Sequence, residues 1–131
     1  MRGLDSNVLV RYLTQDDASQ SRQANRLITE SISRGEPLFL GAIVLCELVW
    51  VLRLAYRIRK SEIAETLTRI LDTAQFVVED ADLCRQALSA YRDGSGDYSD
   101  YLLGGRNRKA GCSATATFDR RLRRSPLFEV I

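Results

Sequence analysis

Histidine is absent from this 131-residue chain, and cysteine is scarce. Without histidine there is no Ser-His or Cys-His pair, which excludes the common forms of nucleophilic catalysis. The three cysteines, Cys46, Cys84 and Cys112, lack a short paired spacing, so no zinc site is predicted. Each cysteine is expected to be a small buried apolar residue. Any enzyme of this composition must therefore use carboxylates, a hard metal ion, or both.

Long apolar runs are also absent. No segment approaches the roughly 18 apolar residues that a membrane span requires, and the N-terminus lacks the charged-then-apolar form of a signal peptide. We therefore expect a cytoplasmic protein that does not enter a membrane. The apolar content of 45% and the charged content of 27% are ordinary for a globular protein, and the length predicts one domain over residues 1–131.

Positive charge is concentrated near the C-terminus although the net charge is only +2. Of the nineteen basic residues seventeen are arginine, whose planar group binds phosphate through two parallel hydrogen bonds. Two interpretations stay open, a solvated arginine-rich surface or a flank that binds a polyanion. Only Asp119 and Glu129 oppose the basic residues from position 101 onward, which are Arg106, Arg108, Lys109, Arg120, Arg121, Arg123 and Arg124.

Short apolar segments alternate with segments of helical periodicity along the whole chain, which predicts a parallel, three-layer α/β fold with right-handed crossovers. The predicted strands are residues 2–4, 38–40, 76–78, 112–117 and 128–131. The predicted helices are residues 7–13 with Ser6 as N-cap, 18–34, 42–56, 62–72 with Ser61 as N-cap, 80 or 82 through 91, and 97–110.

Acidic residues recur where predicted strands end and predicted helices begin. Asp5 follows the first strand and Asp119 follows the fourth, so parallel strands would place both at the carboxyl edge, where α/β sheets bind ligands. Asp97 and Asp100 are three residues apart at a helix start and share one face. The competing interpretation is that an aspartate at a helix start only caps it.

Glu47 is the only ionisable residue before Arg53 in a helix that is apolar almost all round. A buried carboxylate is costly unless it is paired, protonated or bound to a metal, although Glu47 could also lie on a thin exposed stripe. Gly104 and Gly105 predict close packing of their helix on the sheet near Asp5. Clustered carboxylates without a metal repel each other, so some of their pKa values are expected to be raised.

An all-oxygen set of ligands suits Mg²⁺ or Mn²⁺. Together with the arginine-rich flank, such a set indicates metal-dependent phosphoryl chemistry on a nucleic acid, in which a metal-activated water attacks the phosphodiester. Alternatives remain. A phosphotransfer domain with Asp5 as covalent nucleophile would need a second aspartate where Asn7 stands, and a lysine beside the phosphate. The only lysines, Lys60 and Lys109, end no predicted strand.

Four stretches together resemble the PIN-domain ribonucleases, and most closely the VapC-type toxins of bacterial toxin–antitoxin pairs. They are Leu4-Asp-Ser-Asn-Val-Leu9, Glu47 in its apolar helix, Asp97-Tyr-Ser-Asp-Tyr-Leu-Leu103 and Thr117-Phe-Asp-Arg120. The resemblance implies a three-layer α/β/α sandwich with a central, mainly parallel five-stranded sheet. It also implies a Mg²⁺- or Mn²⁺-dependent endoribonuclease. A non-catalytic PIN-fold module that binds RNA or protein is the alternative.

The resemblance also implies roles for individual residues and partners. The expected partners are RNA, a homodimeric second copy through Trp50 and Tyr56, and an antitoxin. The antitoxin would place an arginine in the acidic site and a helix in a groove around Val49, Leu52 and Tyr56. The implied roles are Asp5, Glu47, Asp100 and Asp119 as the catalytic metal-binding quartet, Asp97 as an auxiliary metal ligand, Asn7 and Thr117 as orienting residues, and Arg106, Arg108, Arg120 and Arg121 as RNA-binding residues.

Overall fold

Six α-helices and five short parallel strands make up the computed structural model, which describes all of residues 1–131. The chain divides into two compact units, Met1–Ala81 and Asp82–Ile131. No helix combines the length and the apolar character needed to cross a membrane. In chain order the elements are β1 Arg2–Gly3, α1 Ser6–Thr14, α2 Ala18–Arg34, β2 Leu38–Leu40, α3 Ala42–Leu54, α4 Lys60–Asp72, β3 Phe76–Val78, α5 Ala81–Asp93, α6 Tyr98–Lys109, β4 Thr115–Thr117, a 3₁₀ turn Arg120–Leu122, and β5 Phe128–Val130.

The first unit is built on a three-stranded parallel sheet in the order β1–β2–β3. The central strand β2 pairs Leu38 with Arg2 on one side and with Phe76 on the other. Leu38 and Leu40 are buried whereas Phe39 between them is half-buried, as expected for successive residues on opposite faces of a strand. Helix α1 packs against α2 and α3, so the end of β1 is followed directly by a helix of the core.

The second unit contains α5, α6 and a parallel pair formed by β4 and β5. Tyr98 is fully buried, its hydroxyl donates to the carbonyl of Cys84 at 3.1 Å, and its ring meets Tyr91 edge to face. These contacts hold the start of α6 on α5. Farther along α6, the Asn107 side-chain amide donates to Thr115 Oγ1 at 2.9 Å. The starts of α6 and of β4 are thereby both anchored within this unit.

The predicted α/β class and its parallel strands are confirmed. The single five-stranded central sheet is not confirmed, because the strands pair as one sheet of three and one of two. Each strand has only two or three residues, so hydrogen bonding between strands is limited. The predicted fourth strand shortens to β4, and Cys112 before it is exposed rather than buried, which corrects that expectation.

Helix ends follow local capping chemistry. Asp17 caps α2 by accepting from Gln20 N at 2.9 Å, and Gly35 ends it with φ of +63°. The predicted Ser61 cap is wrong, because α4 already begins at Lys60. The predicted Ser6 cap is also wrong, because Asp5 caps α1 and leaves the Ser6 side chain for another contact.

Close packing explains the two glycines of α6, but their neighbours differ from the prediction. A Cβ on Gly104 would lie 3.0 Å from Leu127 Cβ and from the Phe128 ring, and a Cβ on Gly105 would lie 2.7 Å from Leu83 Cδ1. Gly104 thus lets α6 approach β5, whereas Gly105 lets it approach α5.

Candidate active site

Asp5 stands between β1 and α1 as an exposed N-cap. Its Oδ1 accepts from Ser6 N at 2.8 Å. The Ser6 side chain is buried, and its Oγ donates to Glu47 Oε2 at 3.1 Å, across 41 residues of sequence. Ser6 Oγ is also 3.5 Å from Asp5 Oδ1. One serine therefore joins the two predicted site acids of the first unit.

Glu47 lies on the solvent-facing side of α3. Ile43, Trp50 and Leu54, at helical spacing around it, are exposed by 67%, 41% and 69%. The alternative of an exposed stripe is therefore the correct one, and Glu47 on that stripe is half-buried. Val49 lies on the opposite, buried side of the helix. Val49 consequently cannot line the groove that the sequence suggested there.

Asp97 and Asp100 form a capping box at the start of α6. Asp97 N donates to Asp100 Oδ2 at 2.8 Å, and both side chains are half-buried. The pair therefore does cap α6, as the competing interpretation expected. On Asp100 the bond from Asp97 N uses one of the two carboxylate oxygens.

Asp119 begins the 3₁₀ turn after β4 and is held by Arg121. The Arg121 guanidinium donates to Asp119 through Nε at 3.1 Å to each carboxylate oxygen and through Nη2 at 2.7 Å, and Arg121 N adds a bond of 2.9 Å. The same Nη2 is 3.9 Å from Asp100 Oδ2. Thr117 Oγ1 accepts from Asp119 N at 3.1 Å, a contact that an orienting residue would make.

Arg121 also determines the charge state of Asp119. Hydrogen bonds from the Arg121 side chain and backbone lower the pKa of Asp119, and the same side-chain bond raises the pKa of Arg121. For Asp119 the expectation of a raised pKa is therefore wrong. A cation already present in the chain offsets the repulsion among the acids of the second unit.

Neither unit taken by itself gathers three or more histidine, cysteine or acidic side chains into a group that could hold a metal ion. By ligand type, however, the candidate residues fit a hard divalent cation, because all of them offer carboxylate oxygen. Both sets of acids are held by bonds to a serine, a backbone amide and an arginine.

Comparison with known proteins identifies the family. The PIN domain model matches residues 4–126. This chain belongs to the PIN domain family. It is 28% identical over 124 residues to a VapC ribonuclease of Aquifex aeolicus (strain VF5), covering 95% of this chain and 91% of that relative. The sequence-based recognition of a PIN domain is confirmed, and the match spans every candidate site residue.

The other predicted site residues of this PIN domain differ in their surroundings. Asn7 is exposed and lines a cavity of about 350 Å³ between α1 and α2, and Ser6 rather than Asn7 contacts Asp5 and Glu47. Arg106 is exposed in the last turn of α6. Arg108 donates to the carbonyls of Ser113 and Pro126 at 3.2 and 2.6 Å, so it supports the backbone.

Ser6 is the residue that sequence reasoning missed. It occupies the position expected of an N-cap, so the prediction assigned it that role. The signal was available, since Leu9 and Val10 follow at the i+3 and i+4 spacing that marks the buried face of α1. A hydroxyl on a buried face needs a partner, and here the partner is Glu47.

Proposed function

We propose that this PIN domain is a Mg²⁺- or Mn²⁺-dependent endoribonuclease that acts in the cytoplasm as the toxin of a toxin–antitoxin pair. Family membership and the VapC ribonuclease relative support this assignment. The observation that carries it is the placement of acids at element ends, with Asp5 after β1, Asp97 and Asp100 at the start of α6, and Asp119 after β4. Ligands of α/β folds bind at the carboxyl ends of the strands, so acids at these positions are candidate ligands.

The proposed ligands of the ion are the quartet Asp5, Glu47, Asp100 and Asp119, with Asp97 as auxiliary ligand. When bound, the ion would neutralise charge on the phosphodiester and activate water for its hydrolysis. The remaining roles belong to the chain itself. Ser6 fixes the Glu47 carboxylate, and Thr117 fixes the backbone of Asp119.

RNA cleavage with and without metal tests the proposal directly. The chain should cleave single-stranded RNA in Mg²⁺ or Mn²⁺, and excess EDTA should abolish the cleavage. Asp5→Asn and Asp119→Asn should each lower the rate by orders of magnitude, because each removes a proposed ligand. Glu129→Gln is the matched control, since Glu129 is an exposed acid on β5. Cleavage that persists in EDTA, or that is unchanged in both Asp variants, would overturn the mechanism.

An antitoxin that inhibits the enzyme by inserting an arginine beside the acids is part of the proposal. Arg121 supports the chemistry, since it shows a guanidinium fitting the carboxylate of Asp119. Co-purification of the chain with a candidate antitoxin provides the test. Replacing the inserted arginine by alanine should restore RNA cleavage, and full inhibition by every such antitoxin variant would contradict this mode of inhibition.

A non-catalytic PIN module that binds RNA or protein is the second candidate. Arg121 favours it, because the guanidinium occupies the oxygens of Asp119 that would otherwise bind metal. The metal assay separates the two functions. RNA binding without cleavage in Mg²⁺ and in Mn²⁺ would establish the module and exclude the enzyme.

A further inference from the structure

A cavity lined almost entirely by arginine lies beside the 3₁₀ turn. Its volume is about 430 Å³, within the range of ~300–1,000 Å³ typical of ligand pockets. No acidic side chain lines it. The lining residues are Ser95, Arg120, Arg121, Arg123 and Arg124.

The arginines of this cavity differ in whether they form an ion pair. Arg121 is bound to Asp119, as described above. The side chains of Arg120, Arg123 and Arg124 make no hydrogen bond or ion pair within the chain, and all three are exposed. Three unpaired cations around one cavity repel each other, and a bound anion would relieve that repulsion.

A second cavity extends the first. Its volume is about 290 Å³, and it shares Ser95, Arg121 and Arg124 with the arginine cavity. Asp93 also lines the second cavity, so positive charge is concentrated on the side that it shares with the first. That shared side suits a ligand with regularly repeated negative charges better than it suits a single small anion. Arginine in particular binds phosphate oxygens in pairs.

We propose that Arg120, Arg123 and Arg124 form a subsite for a backbone phosphate of single-stranded RNA. The proposal rests on the proposed function and deepens it by naming where the substrate strand is held. The phosphate is a flanking one rather than the one cleaved, because Arg121 separates this cavity from Asp119 and Asp100. The subsite also revises the predicted RNA-binding set, adding Arg123 and Arg124 and removing Arg108, which supports the backbone.

Salt-dependent RNA binding tests this subsite. Phosphate contacts carry no sequence information, so a fluorescent mixed-sequence single-stranded RNA of twelve nucleotides serves as probe. The full chain carrying Asp5→Asn, in EDTA, prevents cleavage during the measurement. Each phosphate contact contributes about 0.7 to the slope of log affinity against log salt on single strands. Arg120→Ala with Arg123→Ala and Arg124→Ala should therefore lower the slope by roughly 2.

Arg22→Ala is the matched control, since Arg22 is an exposed arginine of α2. It should leave the slope unchanged. Circular dichroism should show that all variants are folded. If the triple variant unfolds, the salt slopes of the three single arginine variants are compared with that of wild type instead. A slope that is the same in wild type and in every folded arginine variant would overturn the subsite. RNA binding with the expected slopes but without cleavage by the wild type would instead overturn only the nuclease proposal.

Discussion

At the scale of single residues, two hydrogen-bonding side chains hold the candidate acids, Ser6 for Glu47 and Arg121 for Asp119. The positions of Asp5, Asp97 and Asp119 at element ends could be predicted, since they follow from the order of strands and helices. The hydrogen-bond partners of the acids could not be predicted. The bond from Ser6 Oγ to Glu47 spans 41 residues of sequence, and a turn with several arginines does not indicate which of them binds Asp119. Contacts of this kind depend on packing that local sequence patterns do not encode.

Arg121 competes with a divalent cation for Asp119, since both need the same carboxylate oxygens. We expect Arg121→Gln to strengthen Mn²⁺ binding by roughly two- to fivefold, the effect of losing one exposed ion pair. Isothermal titration with Mn²⁺ measures this directly, and the melting temperature at fixed Mn²⁺ should rise further than in wild type. Arg123→Gln, which breaks no ion pair, is the control. Equal Mn²⁺ affinity in wild type and Arg121→Gln would show that the two cations do not compete.

The carboxylate of Asp16 should make the free energy of unfolding depend on pH. Its hydrogen bonds from Tyr56 and Thr14, together with the charge of Arg11, lower the pKa of Asp16 to about 2. The unfolded chain, with an ordinary aspartate pKa near 3.9, binds the proton more readily. The stability from this carboxylate is thus complete above about pH 4 and is lost as pH falls towards 2.

Melting curves of wild type and Asp16→Asn should therefore differ most at neutral pH and converge between about pH 4 and pH 2. Tyr56→Phe removes the largest cause of the lowered pKa and should move the convergence to higher pH. A difference between wild type and Asp16→Asn that stays constant from pH 7 to pH 2 would contradict this role.

At the scale of elements, the order and type of the helices and strands could be predicted. Helical periodicity marks α1, α2, α4 and α5, whereas α3 is apolar almost all round and α6 is marked by the aspartate at its start. What could not be predicted is how far hydrogen bonding extends. The predicted fourth strand starts at Cys112, yet pairing begins only at Thr115, where the backbone N–H donates to the Leu127 carbonyl. Strand length depends on the partner strand, and the partner is remote in sequence.

Helix α6 offers a paired test of close packing. Gly104→Ala gains up to ~1 kcal/mol of helix propensity. The added carbon, however, would meet Leu127 Cβ and the Phe128 ring at 3.0 Å, and Leu127 Cβ is attached directly to the backbone. Overpacking costs ~1–3 kcal/mol, so Gly104→Ala should lower the free energy of unfolding by a net amount on the order of 1 kcal/mol. Urea denaturation measures the difference.

Gly105→Ala is the comparison within the same helix. Its added carbon meets only the end of the Leu83 side chain, which can turn aside. We expect its unfolding free energy to stay within ~0.5 kcal/mol of wild type. If Gly104→Ala were the more stable of the two variants, the close approach of α6 to β5 would not be what requires glycine.

At the scale of the whole molecule, self-association should involve the exposed face of α3. Ile43, Trp50 and Leu54 are exposed apolar side chains on this face, with Glu47 among them, and such a face suits a two-fold interface between copies. Tyr56, also expected in the interface, instead donates to Asp16 at 2.5 Å and is half-buried. We therefore assign the predicted homodimer contact to the stripe alone.

Leu54→Lys should lower the mass in solution from that of the expected dimer to that of one chain, because it places a charge within the proposed apolar contact. Light scattering after size exclusion gives the mass. Ile32→Lys on α2, where Ile32 is similarly exposed at 59%, is the control and should remain dimeric. A wild-type mass equal to one chain at high micromolar concentration would exclude this interface.

Cys112 adds one more property that belongs to the whole chain. It is exposed ahead of β4, whereas Cys46 and Cys84 are buried. Only one thiol per molecule is therefore open to reagents, and a maleimide dye should attach once, at a known position. In air the same thiol can join two copies through a covalent disulfide that has nothing to do with α3. Mass measurements made with and without a reducing agent, or on Cys112→Ser, separate that linkage from true association.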